Sequence, residues 1–105
     1  MVKVNFIGAD GAVYESEARA GDSAMQAAVR KSVPGILGEC GGGMACGTCH
    51  VYVDPVWEAR AGAPSPPERE MLSFDPRLRE ASRLSCQIRL RLELDGLLLH
   101  IPPKM

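Results

Sequence analysis

The 105-residue sequence has no long apolar run, little excess charge and few aromatic side chains. No stretch approaches the roughly 20 consecutive apolar residues that a membrane-spanning helix needs. Twelve Lys and Arg residues stand against thirteen Asp and Glu residues, so the formal net charge is −1 and there is no basic excess to bind nucleic-acid phosphates. We therefore expect no membrane partner and no nucleic-acid partner.

The sequence also has little of what catalysis requires. It contains two histidines, and no motif pairs a nucleophile with a base or forms a phosphate-binding loop. We therefore expect a protein that is not an enzyme.

Length and composition indicate one small globular domain spanning residues 1–105. Apolar residues make up 46% of the chain and charged residues 24%, which is typical of globular proteins. The first residues show no apolar signal core followed by a small-residue cleavage site. The expected location is the cytoplasm.

Two pairs of segments predict β-hairpins at the two ends of the chain. Residues 2–7 and 13–18 are β-prone and flank an Asp-Gly pair that is typical of tight turns. Residues 87–94 alternate polar and apolar side chains, which predicts a half-buried strand, and a second Asp-Gly pair would turn it into a strand at 97–101.

Helix signals lie between these hairpins. Asp22 or Ser23 can cap a main helix that would end at Pro34-Gly35. Ser65 can cap a second, short helix with proline in its first turn, and residues 48–53 read as a strand. The pattern favours an α+β domain over alternating βαβ units.

Four cysteines are the main chemical feature of the chain: Cys40, Cys46, Cys49 and Cys86. An even count could mean two disulfides, but structural disulfides are rare in the reducing compartment that we expect. Three of the four thiols lie within ten residues, interleaved with glycines, which is a poor way to build a packed core. Metal ligands or redox-active thiols are therefore favoured.

The cysteine spacing favours an iron–sulfur cluster over zinc. Structural zinc sites usually use two short Cys-x2-Cys pairs, whereas here the fourth cysteine comes 37 residues after Cys49. The arrangement resembles the plant-type 2Fe-2S spacing with the first gap one residue longer. The loop glycines would let backbone N–H groups approach the sulfides of such a cluster; they are Gly41, Gly42, Gly43 and Gly47.

Two other interpretations stay open at this point. A redox-silent zinc protein acting as an interaction module would use the same four thiols. A thiol–disulfide oxidoreductase could use Cys46-Gly47-Thr48-Cys49, although that motif normally precedes a helix and here a strand is predicted to follow.

The segment Cys40-Gly41-Gly42-Gly43-Met44-Ala45-Cys46-Gly47-Thr48-Cys49-His50-Val51-Tyr52-Val53 resembles the adrenodoxin and putidaredoxin-type ferredoxins. Residues 82–88 resemble that family's fourth-ligand segment, and the likeness covers most of the chain. It implies a β-grasp (ubiquitin-like) fold with a mixed sheet, one main helix and a short interaction helix. It also implies one 2Fe-2S cluster, with Cys40 and Cys46 on one iron and Cys49 and Cys86 on the other.

The resemblance also implies a function. The expected protein is a soluble one-electron carrier from an NAD(P)H-dependent flavoprotein ferredoxin reductase to a cytochrome P-450-type monooxygenase. A monomer is expected, because a mobile carrier that must meet two partners in turn is best served as a monomer. The alternative within the family is a ferredoxin that serves iron–sulfur cluster assembly or another reductive pathway. His50 would act as a hydrogen-bonding tether between the cluster loop and the rest of the domain.

In the resembled family an acidic helix docks basic partner surfaces, and complementary charge raises the encounter rate. The candidate partner-binding residues here are Glu39, Glu68, Glu70, Asp75 and the apolar Met71. Prolines and arginines in the same stretch dilute the acidic patch, so we expect apolar groups to share the interface.

Overall fold

The computed structural model describes residues 1–31, 33 and 50–102. The described residues form one five-stranded sheet of order β2-β1-β5-β3-β4, in which β1 and β5 are parallel and the other neighbours are antiparallel. Its strands are β1 (Val2–Ile7), β2 (Val13–Ala18), β3 (His50–Val53), β4 (Ser82–Leu84) and β5 (Leu97–His100). The expected mixed sheet is confirmed.

Three α-helices accompany this sheet in the described residues: α1 (Ala24–Arg30), α2 (Glu58–Ala61) and α3 (Pro66–Leu72). Short 3-10 turns occur at Pro55–Trp57, Ser85–Gln87 and Leu92–Leu94. None of the described helices is both long enough and apolar enough to cross a membrane.

The N-terminal hairpin forms as predicted. β1 and β2 pair in register from Val2 opposite Ala18 to Ile7 opposite Val13. Alternate β1 side chains are buried in the core, and Gly11 supplies the positive φ of +89° in the turn, a backbone conformation that glycine adopts at low cost.

The main helix begins where the sequence indicates. The Ser23 hydroxyl accepts the N–H of Gln26 at 3.2 Å and the Gln26 side chain accepts the N–H of Ser23 at 2.7 Å, which completes a capping box. Helix α1 buries four residues of one face (Ala24, Met25, Ala27 and Ala28). It ends at Arg30, one turn before the predicted stop at Pro34-Gly35.

The strand predicted over 87–94 is wrong. Ile88 and Leu90 are buried in alternation, but their backbone pairs with the segment before α1: Ala24 N–H donates to the Ile88 carbonyl and Leu90 N–H donates to the Asp22 carbonyl. Leu92 then lies in a 3-10 turn, and the residue is 73% exposed. The predicted C-terminal hairpin is therefore also wrong, since β5 enters the sheet between β1 and β3.

A buried ion pair joins α3 to β4. The Arg83 guanidinium donates to the Glu68 carboxylate through Nε at 2.6 Å and Nη2 at 3.1 Å, and the Leu84 N–H donates to Glu68 Oε2 at 2.9 Å. Arg83 Nη1 also donates to the carbonyls of Ala61 and Gly62 at 3.0 and 3.1 Å. One side chain therefore connects β4, α3 and the end of α2.

This pair corrects one sequence expectation. Glu68 was expected on a partner-binding surface, but it is 1% exposed and its carboxylate is used inside the protein. A residue in this position cannot present its charge to a docking protein.

Replacing Glu68 by Ala should strongly destabilise the fold, because the Arg83 charge and the Leu84 N–H would lose their acceptor while still buried. Breaking a buried ion pair typically costs about 3–5 kcal/mol. We expect the apparent midpoint of thermal unfolding, at a fixed scan rate, to fall by about 10 °C or more. Glu70→Ala, on the exposed face of the same helix, is the matched control and should change stability by less than about 0.5 kcal/mol. Equal midpoints for the two variants would contradict the structural role of Glu68.

Candidate metal centre

Cys86, the predicted fourth ligand, lies directly after β4 in the 3-10 turn Ser85–Gln87. Its side chain is buried, with 4% of the residue exposed, and its sulfur is free of any disulfide. The Gln87 side-chain amide donates to its Sγ at 3.4 Å. A sheltered, unpaired sulfur with a nearby N–H donor fits a thiolate ligand to iron, since such donors stabilise charge on coordinated sulfur.

The register of β3 and β4 brings two ligand-bearing parts of the sequence together. His50 pairs with Leu84, so the start of β3, which directly follows Cys49 in the sequence, lies beside the segment that leads into Cys86. The remaining predicted ligands, cluster-loop glycines and one acidic candidate lie outside the described residues; these are Cys40, Cys46, Cys49, Gly41, Gly42, Gly43, Gly47 and Glu39.

His50 occupies a buried position with both ring nitrogens hydrogen-bonded. Its Nδ1 lies 2.8 Å from Asp75 Oδ2, and its Nε2 lies 2.8 Å from Ser82 Oγ. The ring also packs edge-on against Tyr52, with centroids 5.2 Å apart. These contacts link the start of β3 to two segments that lie 25 and 32 residues further along the chain.

The partners of His50 define where its proton lies. An ionised Asp75 can only accept, so Nδ1 carries the hydrogen and Nε2 accepts from the Ser82 hydroxyl. The Ser82 oxygen in turn accepts the backbone N–H of Arg79 at 2.8 Å. Burial lowers the pKa of His50, and the hydrogen bond and charge of Asp75 only partly oppose this, which favours the neutral ring.

Asp75 is held from several directions. Its Oδ1 accepts the backbone N–H and the Nε–H of Arg77 at 2.8 and 3.0 Å, and its Oδ2 accepts Arg77 Nη2 at 2.8 Å besides His50 Nδ1. The Arg77 guanidinium holds the pKa of Asp75 well below its usual range. Asp75 was expected to bind a partner, but both of its oxygens are engaged within the domain.

The two remaining docking candidates among the described residues lie on or near the surface. Glu70 is exposed on α3, and Met71 is half-buried against the core. Two exposed apolar side chains in the turns after α3 were not predicted: Phe74 is 75% exposed and Leu78 is 48% exposed. Single apolar residues carry no sequence signal that separates core from surface, so only the structure finds them.

A second His–Asp contact lies at the opposite end of β3. His100 Nε2 is 2.9 Å from Asp54 Oδ2, and this hydrogen bond is the main cause of the lowered pKa of Asp54. Asp54 follows the last residue of β3, whereas His50 is its first residue. The two pairs therefore mark the two ends of the same strand.

Comparison with known proteins supports the cluster interpretation. The model of the family described as "2Fe-2S iron-sulfur cluster binding domain" matches residues 8–91. Ferredoxin CarAc of Sphingomonas sp is 50% identical over 101 residues, which cover 96% of this chain and 93% of that protein.

Solved structures agree with the sequence relatives. A cysteine-to-serine variant of reduced putidaredoxin from Pseudomonas putida has a TM-score of 0.92 at 39% identity over 97% of each chain. A chain of the covalent putidaredoxin reductase–putidaredoxin complex has a TM-score of 0.91 at 40% identity, covering 97% of this chain and 99% of that chain.

These findings confirm the predicted β-grasp fold and the single 2Fe-2S cluster, and they favour an iron–sulfur cluster over a zinc ion as the bound metal. The chain belongs to the 2Fe-2S ferredoxins of the adrenodoxin and putidaredoxin type.

Proposed function

We propose that this ferredoxin is a cytoplasmic one-electron carrier from an NAD(P)H-dependent flavoprotein reductase to a cytochrome P-450-type monooxygenase. The observation that supports this best is the likeness to putidaredoxin in its complex with putidaredoxin reductase, at a TM-score of 0.91 over 97% of this chain. That structure supports the reductase as a partner. The motif from Cys40 to Val53 resembles the adrenodoxin and putidaredoxin-type ferredoxins, and this resemblance also implies the P-450-type acceptor.

The proposed ligands are the four cysteines of the chain: Cys40, Cys46, Cys49 and Cys86. The bound 2Fe-2S cluster supplies a one-electron couple. Of the four, Cys86 is the described one, and its burial together with the Gln87 donor supports this role. The proposed donors to the cluster sulfurs are backbone N–H groups of the glycine-rich loop, at Gly41, Gly42, Gly43 and Gly47.

Replacing Cys86 by Ser should remove or severely weaken the cluster, because an alcohol is a far poorer ligand to iron than a thiolate. The measurement is iron and acid-labile sulfide per protein, with the visible spectrum of anaerobically purified protein. Ser73→Cys, which adds a thiol at an exposed position, is a control that should keep full cluster content. An unchanged iron content in the Cys86→Ser protein would show that the ligand assignment is wrong.

The proposed partner surface lies on α3 and the turns that follow it. Glu70 offers an exposed negative charge there, with Met71 and the exposed Phe74 and Leu78 as apolar contacts. Glu39, beside the first ligand, is the proposed second acidic contact. Because Glu68 and Asp75 are engaged inside the domain, the described part of this surface is less acidic than the sequence indicates.

Glu70→Lys should slow reduction of the acceptor several-fold at low salt and much less at high salt, because charge at an interface rim acts mainly on the association rate. Stopped-flow kinetics at two ionic strengths measure the effect. Glu15→Lys is the matched control: it makes the same charge change on β2, at the opposite edge of the sheet from β4. A salt-dependent loss of equal size in both variants would rule out a docking role for Glu70.

The smaller number of exposed acidic residues on this surface would be expected to change partner choice, so the second candidate is a ferredoxin for iron–sulfur cluster assembly or another reductive pathway. Reconstitution separates the two: the ferredoxin, a flavoprotein reductase and a P-450 monooxygenase are mixed with NAD(P)H, and substrate turnover is followed. Turnover that depends on the ferredoxin supports the first proposal. Reduction by the reductase without turnover by any monooxygenase would favour the second.

A further inference from the structure

We propose that Asp75 is a positioning residue for the cluster: its carboxylate, oriented by Arg77, fixes the ring of His50 at the start of β3. His50 directly follows Cys49 in the sequence, so this inference rests on the proposed ligand role of Cys49. Asp75 then serves the redox site from within the domain and does not act as a docking charge.

The contacts around Asp75 leave it little freedom. Arg77 donates three hydrogen bonds to the carboxylate at 2.8, 3.0 and 2.8 Å, one of them from its backbone. The remaining direction of Oδ2 is taken by His50 Nδ1 at 2.8 Å. Carboxylates that accept from a metal-binding histidine fix the orientation of its ring, and Asp75 fixes the His50 ring in the same way. His50 is not itself a predicted ligand; its backbone directly follows the predicted ligand Cys49.

The opposite side of the ring is held as firmly. Ser82 donates to His50 Nε2, and the backbone N–H of Arg79 fixes the Ser82 oxygen. The His50 ring is thus clamped between the turn at 75–77 and β4, the strand that leads into Cys86. Removing the Asp75 acceptor frees one side of this clamp, so the backbone that follows Cys49 loses a constraint.

The negative charge of Asp75 gives a way to tell this role from a purely structural one, because the charge affects the midpoint potential of the cluster. Asp75 is an ionised group held beside the residue that follows Cys49, and the reduced cluster carries more negative charge than the oxidised one. Removing the carboxylate charge should therefore make reduction easier and raise the midpoint potential. Loss of packing alone would weaken the protein without a defined direction of change in potential.

The experiment compares Asp75→Ala, Asp75→Asn and the wild type as purified holo-proteins. The two readouts are the half-life of the visible absorbance in the presence of an iron chelator and the midpoint potential from a dye-mediated titration. Asp75→Ala should shorten the half-life by about tenfold, the lower end of the range for changes in groups that support a metal site. Asp75→Asn keeps an oxygen that accepts from Nδ1, so it should restore the half-life to within about twofold of wild type.

Both substitutions should raise the midpoint potential. Asp54→Ala is the matched control, since it removes the same kind of His–Asp contact, at 2.9 Å, from the other end of β3. Four residues of extended chain place that contact about 13 Å from His50. It should change neither readout.

Three results would overturn the proposal: a wild-type half-life in Asp75→Ala, equal cluster loss in the Asn and Ala variants, or equal effects of Asp54→Ala and Asp75→Ala. If Asp75→Ala does not fold, the test depends on Asp75→Asn alone. A midpoint potential in Asp75→Asn equal to that of the wild type then overturns the proposal. Cys49→Ser tests the underlying ligand role separately. If Cys49→Ser keeps its cluster, the ligand assignment fails. If Cys49→Ser loses its cluster but the Asp75 variants keep the wild-type half-life and midpoint potential, only the role of Asp75 is rejected.

Discussion

The antiparallel pairing of β3 with β4 is the constraint on which the redox end of this domain depends. It sets His50 opposite Leu84 and so brings together two stretches of sequence that end or begin at predicted cluster ligands. The side chains around this pairing hold the neighbouring helix in place. Arg83 reaches from β4 to Glu68 on α3, and His50 reaches from β3 to the turn behind α3. A four-residue strand and a three-residue strand thus position α3 and the turn that follows it.

Much of the fold could be predicted because its signals are local. An Asp-Gly pair between β-prone segments gave the first hairpin, and Ser23 and Ser65 cap the helices that they were expected to cap. The failure at 87–94 has a physical cause. Alternating polarity indicates which side chains are buried, but it does not indicate which other segment the backbone pairs with. Here the backbone of Ile88 and Leu90 pairs with the segment at the start of α1 and not with a neighbouring strand of the sheet.

The acidic residues show a second limit of sequence reasoning. Glu68, Glu70 and Asp75 lie close together in the chain and look equivalent as exposed carboxylates, yet of the three only Glu70 is exposed. Arg83, which pairs with the buried Glu68, lies 15 residues further along the chain, and His50, which contacts Asp75, lies 25 residues before it. Such distant pairings depend on tertiary structure, so sequence could place the acidic stretch but could not assign its members to the surface or the interior.

The position of β5 in the sheet has a consequence for how the protein is made. This strand lies between β1 and β3, yet in the sequence it follows all four cysteines. During synthesis every thiol therefore leaves the ribosome before the strand that joins the two halves of the sheet. Because chains grow at about 5–20 residues per second, the thiols exist for a short time in a domain that lacks its central strand. Iron and sulfide delivered in that interval would meet a domain whose two sheet halves are not yet joined by β5.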